Sequence, residues 1–320
     1  MDRVEGLDGL RQTPPGGVLA VGNFDGMHLG HRTIIDEAIR LGRQHGSKVT
    51  LVTFEPHPLS VLRPDAVPPR LSPATLKQSL IEKAGVDRLV LLAPYPDVLS
   101  MTARHFWELV RDEVRPAAWV AGDSFTFGKG AAGTIEQLVD WSRGSGVAVH
   151  IVPPRQVVLM DMQIVAVSST LARFLISEGR LRDAAIVLGR AYALVGRVVH
   201  GRHCGRTIGF PTINLDCADQ MIPSDGVYAG RCRVGDAAYP AAVNIGPAPT
   251  FGESARCVEA HLIGFSGDLY GQTLQLELLD FIRDQRTFAG TEALRIQLNR
   301  DVAMADGLKN FDPARPLAHI

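Results

Sequence analysis

Long apolar runs are missing from this 320-residue sequence, and so is any excess of charge of one sign. Nothing reaches the ~18 uninterrupted apolar residues needed to cross a bilayer, so no membrane span is expected. Lys and Arg number 33 against 34 Asp and Glu, a formal net charge of -1, so no global positive field draws in nucleic acid or an anionic membrane. Phosphate recognition therefore has to be local. The N-terminal stretch carries Asp2, Arg3, Glu5 and Asp8 and lacks the apolar core of a secretory leader, which points to the cytoplasm. Cysteine is scarce. Cys204, Cys217, Cys232 and Cys257 include no C-x-x-C pair, which speaks for free thiols and against a zinc site or a redox motif. Internal repeats and low-complexity tracts are also lacking.

The composition is 46% hydrophobic and 21% charged, and the length suits two cores rather than one. Between residues 18 and 152, short apolar runs (18–22, 49–54, 89–93, 119–122 and 147–152) take turns with helical patterns at 33–45, 74–84, 103–114 and 134–143. That alternation predicts a parallel sheet covered on both faces, with ligands at the carboxyl ends of its strands. After residue 185, short strands are broken by Gly, Pro and Asp at 193–200, 226–234, 239–245, 259–263 and 273–281, as in an antiparallel barrel or sandwich. A final amphipathic helix is expected over 291–304, where Leu294, Leu298 and Val302 recur at helical spacing. The boundary falls between 180 and 190, where a short helical stretch ends at Gly189, giving domains 1–185 and 186–320.

In the first half, Gly22-Asn23-Phe24-Asp25-Gly26-Met27-His28-Leu29-Gly30-His31 follows a predicted strand and precedes a predicted helix. Glycines allow a tight turn and a close ligand, and the helix start offers free N–H groups and partial positive charge, a cradle for polyphosphate. His28 and His31 can both donate to a phosphate gaining negative charge. A structural turn with incidental histidines, or half of a metal site, is the alternative. Ser168-Ser169-Thr170 is in itself an ordinary helix N-cap. Gly128-Lys129-Gly130-Ala131-Ala132-Gly133 satisfies G-x-G-x-x-G but lacks the acidic residue about 20 positions on, and Gly130 stands where a P-loop needs Ser or Thr.

In the second half, Gly201, Gly205 and Gly209 with Arg202 and Arg206 read as a lid over phosphate. Thr212 and Asn214, two apart, would share one strand face and offer oxygens to a hard cation. A glycine-rich barrel loop before an ordinary strand is the bland alternative.

Several of these strings resemble known families. H-x-G-H at the first strand-to-helix turn resembles the nucleotidyltransferase superfamily, and G-N-F-D-G-M-H-L-G-H is similar to the adenylyltransferase domain of bacterial FAD synthetases. The resemblance extends to Thr53-Phe54-Glu55-Pro56-His57-Pro58, to Phe125-Thr126-Phe127-Gly128-Lys129, and to Ser168-Ser169-Thr170-Leu171-Ala172-Arg173. It implies catalysis by His28 and His31. ATP and its phosphates would lie against Gly22, Phe24, Asp25, Gly30, Ser168, Ser169, Thr170 and Arg173, and flavin against Pro56, His57 and Phe127. Ser124 stands where that family usually carries Asn or Asp, and Ala172 where it keeps a branched apolar residue.

Likewise, G-R-T-I-G-F-P-T-I-N-L at 205–215 resembles the riboflavin kinase signature, with Ile213 in place of the commoner Ala. Pro223-Ser224-Asp225-Gly226-Val227-Tyr228-Ala229, the string 244–251 and the strand beginning at Glu259 agree with it. This resemblance implies Gly201, Arg206 and Gly209 on ATP, Thr212 and Asn214 on Mg2+, Glu259 as catalytic base, and Arg283 near flavin. Together they imply a Rossmann-like α/β nucleotidyltransferase domain followed by a six-stranded antiparallel flavokinase β-barrel with a C-terminal helix. The expected function is riboflavin to FMN to FAD with ATP as co-substrate and Mg2+ as cofactor, the partners being riboflavin, FMN, FAD and ATP, with no nucleic acid and no membrane. A kinase with a weakened first domain, motivated by Ser124, and a flavin-binding regulator without turnover stay open, as does a homo-oligomer.

Overall fold

The computed structural model describes residues 1–200, 209–247 and 256–312. The chain divides into two compact units. One contains residues 1–68 and 74–156, the other residues 69–73 and the chain from Val157 onward.

The first unit runs β1 (Asp2–Glu5), α1 (Gly6–Arg11), β2 (Val18–Val21), α2 (Leu29–His45), β3 (Val49–Phe54), α3 (Leu59–Leu62), α4 (Ala74–Lys83) and β4 (Arg88–Leu92), then α5 (Pro96–Leu99), α6 (Ala103–Leu109), β5 (Ala118–Gly122), α7 (Ile135–Ser142) and β6 (Ala148–Val152). Its six strands form one sheet in the order β1-β4-β3-β2-β5-β6, every neighbouring pair parallel. The apolar runs lack polar alternation because both faces are buried. Leu19, Val21, Val52 and Trp119 face a core with Phe106, Trp107 and Leu138, while Ala20, Leu51 and Leu89 face Ile35 and Ile81 on the other side. The chain moves outward from β2 through β3 to β4 and then returns to β5 beside β2. The order thus reverses between β2 and β5, and open sheets of this kind bind ligands in the crevice beyond the carboxyl ends at such a point.

The two-stranded sheet of β7 (Gln156–Val158) and β8 (Ile164–Ala166) is followed in the second unit by α8 (Ser169–Ser177) and α9 (Leu181–Leu188), the latter capped by Gly189 at φ 70°. There follow β9 (Tyr192–Val199), β10 (Ile213–Asp216), β11 (Gly226–Val234), β12 (Ala237–Pro247), β13 (Arg256–Leu262), β14 (Thr273–Arg283) and α10 (Thr291–Gly307). The strands close into an antiparallel barrel in the order β10-β13-β12-β11-β14-β9. Closure removes the sheet edges that would otherwise template aggregation. Val243, Ile245, Val258 and Ala260 alternate inward and are buried, which leaves the residues between them on the outer face.

Candidate active sites

The glycine-rich loop lies at the carboxyl end of β2, where the Gly22 N–H donates to the Val52 carbonyl at 3.0 Å. Phe24 and Met27 take left-handed conformations at φ 49° and 41°, beside Gly26 at 79°. Such geometry costs a side-chain-bearing residue energy unless its surroundings hold it. They do so here because both side chains are buried beneath the loop, Phe24 in the same core as Ile35. A Cβ on Gly22 would stand 3.2 Å from the Phe24 ring. Gly30 lies in the first turn of α2, and Asp25 is half-buried in the loop.

His28 is the N-cap of α2, and its Nδ1 accepts the His31 N–H at 3.2 Å. With Nδ1 accepting, the neutral ring carries its proton on Nε2 as a donor. The two imidazoles stack with centroids 3.6 Å apart and planes 17° apart, and the Phe24 ring meets His31 edge-on at 5.2 Å. Burial pushes the His31 pKa well below its ordinary value, and the neighbouring His28 and Lys77 push it the same way. His31 is therefore neutral at pH 7. Among the described residues its buried Nδ1 has no hydrogen-bond partner, a cost a protein accepts mainly where a ligand or a reaction is served.

The carboxyl end of β3 stands next to this loop. Thr53 Oγ1 donates to the Asn23 carbonyl at 3.0 Å, and the Asn23 carboxamide lies 3.3 Å from His57 Nε2. His57 Nδ1 accepts from the Leu59 N–H, which fixes the ring behind Pro56. Lys77 of α4 is buried at 5% exposure and donates to the Phe54 carbonyl at 2.9 Å, while pairing with Glu55 at 2.8 Å. Asn23 and Glu55 lie in strings singled out from the sequence but carried no role of their own there, and Lys77 was not singled out. For Lys77 the signal was there: it sits four residues before Ile81, on the apolar side of a helical pattern, where a lysine is out of place.

Beyond β5, Phe127 is buried in an aromatic cluster. It stacks on Phe125 at 5.4 Å and meets Trp141 edge-on at 6.2 Å. The G-x-G-x-x-G string is explained by packing. Gly128 at φ 74° leaves no room for a Cβ, which would lie 2.4 Å from the Ala103 nitrogen, and a Cβ on Gly133 would lie 2.6 Å from the Ala103 Cβ. Ser124 is exposed.

In the second unit, Ser168 caps α8 by accepting the Leu171 N–H at 3.1 Å. Ser169 and Thr170 form the first turn, and Arg173 one turn on donates from Nε to the Pro69 carbonyl at 2.8 Å. On the barrel, Asn214 of β10 pairs directly with Glu259 of β13, and Glu259 pairs directly with Asn244 of β12. Directly opposed residues in an antiparallel ladder point to the same side, so these three form a row on the outer face. The Cys257 thiol donates to Asn214 Oδ1 at 3.1 Å, and Gln285 donates to Asn244 Oδ1 at 3.0 Å. Gln285 lies so close that a Cβ on Gly246 would overlap its carboxamide. Asn244 opens the string 244–251 quoted from the sequence but was given no role there, and Gln285 looks like an ordinary loop polar residue. Thr212 is half-buried just ahead of β10, and Gly209 holds φ 87°. Gly201 and Arg206 lie outside the described residues.

Arg283, at the end of β14, makes a two-pronged ion pair with Asp301 of α10, Nε–Oδ1 at 3.0 Å and Nη2–Oδ2 at 2.7 Å. Asp301 is 1% exposed and also accepts from Gln297 at 2.7 Å. Arg283 and Arg286 both lie over the Phe288 ring. The Arg283 guanidinium thus ties the last strand to the C-terminal helix.

Among the described residues, no group of three His, Cys, Asp or Glu could hold a metal ion, and no helix is long and apolar enough to cross a membrane.

Comparison with known proteins matches residues 10–171 to the FAD synthetase family model and residues 188–308 to the riboflavin kinase family model. The bifunctional riboflavin kinase/FMN adenylyltransferase of Escherichia coli K12 is 34% identical over 304 residues, covering 94% of this chain and 96% of that protein. The protein of the same description from Pseudomonas fluorescens is 33% identical over the full length of both chains. A crystal structure described as a macrolide-efflux protein from Streptococcus pneumoniae superposes with a TM-score of 0.84 at 28% identity, covering 97% of this chain and 99% of that one. Two family matches in chain order, together with full-length relatives at this identity, place the chain in the bifunctional riboflavin kinase/FMN adenylyltransferase family.

Proposed function

We propose that the chain carries flavin through two consecutive ATP-dependent steps, riboflavin to FMN in residues 186–320 and FMN to FAD in residues 1–185. Flavin cofactor biosynthesis by both steps follows from the paired family matches and the bifunctional relatives. The assignment of individual residues rests on geometry and on the resemblance of their strings.

For the kinase, the observation that carries the reading is the row Asn214–Glu259–Asn244. Glu259 takes the proton of the terminal ribityl hydroxyl, whose oxygen attacks the γ-phosphorus of ATP while ADP leaves. Thr212 and Asn214 would hold Mg2+, and their neutral oxygens suit a hard cation that takes most of its ligands from phosphate and water. Bound there, the ion would neutralise charge on the phosphate oxygens. Gly201, Arg206 and Gly209 serve the ATP phosphates, and Arg283 serves the flavin.

For adenylyl transfer, a phosphate oxygen of FMN attacks the α-phosphorus of ATP in line, and pyrophosphate leaves. The His28 Nε2–H and the neutral His31 donate to the oxygens that gain charge, without the desolvation cost of buried imidazolium. Gly22, Phe24, Asp25 and Gly30 shape the nucleotide cradle, and Ser168, Ser169, Thr170 and Arg173 serve the phosphates. Pro56, His57 and Phe127 serve the flavin side. We place the work in the cytoplasm.

Glu259→Ala separates the two halves. Supplied with Mg-ATP, it should fail to phosphorylate riboflavin yet still convert added FMN to FAD. Retention of riboflavin phosphorylation would remove Glu259 from its role, and a wild-type chain that binds flavin and turns over neither substrate would instead be a regulator.

A further inference from the structure

A buried lysine paired to a carboxylate at the carboxyl end of β3, beside the glycine loop, has no part in either reaction so far, and its connections suggest one. Lys77 is 5% exposed, and its ammonium is bound to the Phe54 carbonyl and to Glu55. Those acceptors are the last residue of β3 and the first of the turn Glu55-Pro56-His57-Pro58. From the same segment, Thr53 reaches the Asn23 carbonyl and His57 reaches the Asn23 side chain. Asn23 belongs to the loop that delivers His28 and His31. One cation thus ties the Phe54 carbonyl and the Glu55 carboxylate, two consecutive residues, and residues of the same segment hold Asn23 of the glycine loop by its carbonyl and by its side chain.

Burying an ammonium costs several kcal/mol unless it is well paired, and an apolar residue of similar volume would often be as stable or more so. Its presence at a position facing the core therefore calls for a reason other than stability. The effect of Lys77 in holding His31 uncharged agrees with such a reason.

We infer that Lys77 and Glu55 form a positioning pair for FMN adenylylation, setting the β3 turn and through it the loop of the two histidines. Neither residue touches the reacting atoms. The inference rests on the adenylyltransferase reading of this half.

The test uses the full chain, in which riboflavin phosphorylation serves as an internal control. All three tryptophans, Trp107, Trp119 and Trp141, lie in the first unit, so their fluorescence reports its folding separately. Lys77→Met should keep the tryptophan emission and phosphorylate riboflavin within twofold of wild type, yet lower kcat for FAD formation from FMN about tenfold or more, with KM for ATP changed much less. Glu55→Gln, nearly isosteric, should show the same split should Lys77→Met not fold, and Lys77→Arg should recover most of the lost rate. FAD formation within threefold of wild type in Glu55→Gln or in folded Lys77→Met would overturn the pair. So would a loss expressed wholly in KM, or a failure of Lys77→Arg to recover. A wild-type chain that forms no FAD would overturn the underlying adenylyltransferase reading itself.

Discussion

His28 Nδ1 accepts the backbone N–H of His31 at 3.2 Å while the two rings stack 3.6 Å apart, so one side chain both starts α2 and stands over its partner. Capping and chemistry are thereby combined in a single residue, and substitution can separate them.

His28→Asn keeps a good N-cap and removes the ring. We expect the stability of the first unit, followed by tryptophan fluorescence in denaturant, to stay within about 0.5 kcal/mol of wild type, while kcat for FAD formation falls about 100- to 1,000-fold. His28→Ala should lose the same rate and a further ~1 kcal/mol of stability. Equal rates for His28→Asn and wild type would reduce the residue to a cap.

The depressed pKa of His31 makes the first unit sensitive to acid. In the unfolded chain this histidine binds a proton near its ordinary value of 6.5, whereas the folded chain resists protonation to a lower pH. The unfolded state therefore binds more protons in that window, and stability rises with pH. The contribution is fully present above about pH 6.5 and is lost as pH falls, at up to about 1.4 kcal/mol per pH unit. Denaturation followed through the tryptophans between pH 5 and 8 should show that slope in wild type and a shallower one in His31→Gln. Identical slopes would contradict the burial of a neutral ring.

Asp301 is a buried carboxylate satisfied by Arg283 and Gln297. Asp301→Ala leaves the Arg283 charge without its partner and should destabilise the second unit by about 3–5 kcal/mol. Loss of riboflavin phosphorylation on heating should come at a clearly lower temperature than in wild type. FAD formation from added FMN in the same sample serves as the control. An unchanged temperature would mean that the pair contributes little to holding α10.

Burial pushes the Cys217 thiol up to about 12 and the Cys232 thiol up to about 11. At pH 8 their thiolate fractions are about one in a thousand or less, so a thiol-directed alkylating reagent should leave both unmodified in the folded chain and modify them after unfolding, as peptide mapping would read. Modification of either in the native protein would mean that the packing around it opens.

Much of the architecture was legible because burial on two faces leaves a strong pattern. The runs at 18–22 and 49–54 became β2 and β3, and the 226–234 strand kept its bounds as β11. Edge and short elements escaped. β1 carries Asp2, Arg3 and Glu5, mostly exposed, and is a strand only because it pairs with β4, while β7 and β8 have three residues each. The helical pattern at 103–114 ends its regular α-helix at Leu109 and continues as a wider turn through Val114, closed by Arg115 at φ 49°. In the sites, glycine and histidine strings could be read because their spacing is local. The row Asn214–Glu259–Asn244 could not, since it depends on register between strands far apart in sequence, and neither could the Lys77 pair with Glu55.

One chain performs both transfers, and a single time course tests it. Purified protein given riboflavin and Mg-ATP, with flavins separated over time, should accumulate FMN first and then FAD at the expense of FMN. FMN that rises to a plateau with no FAD, or riboflavin that stays unchanged, would contradict it.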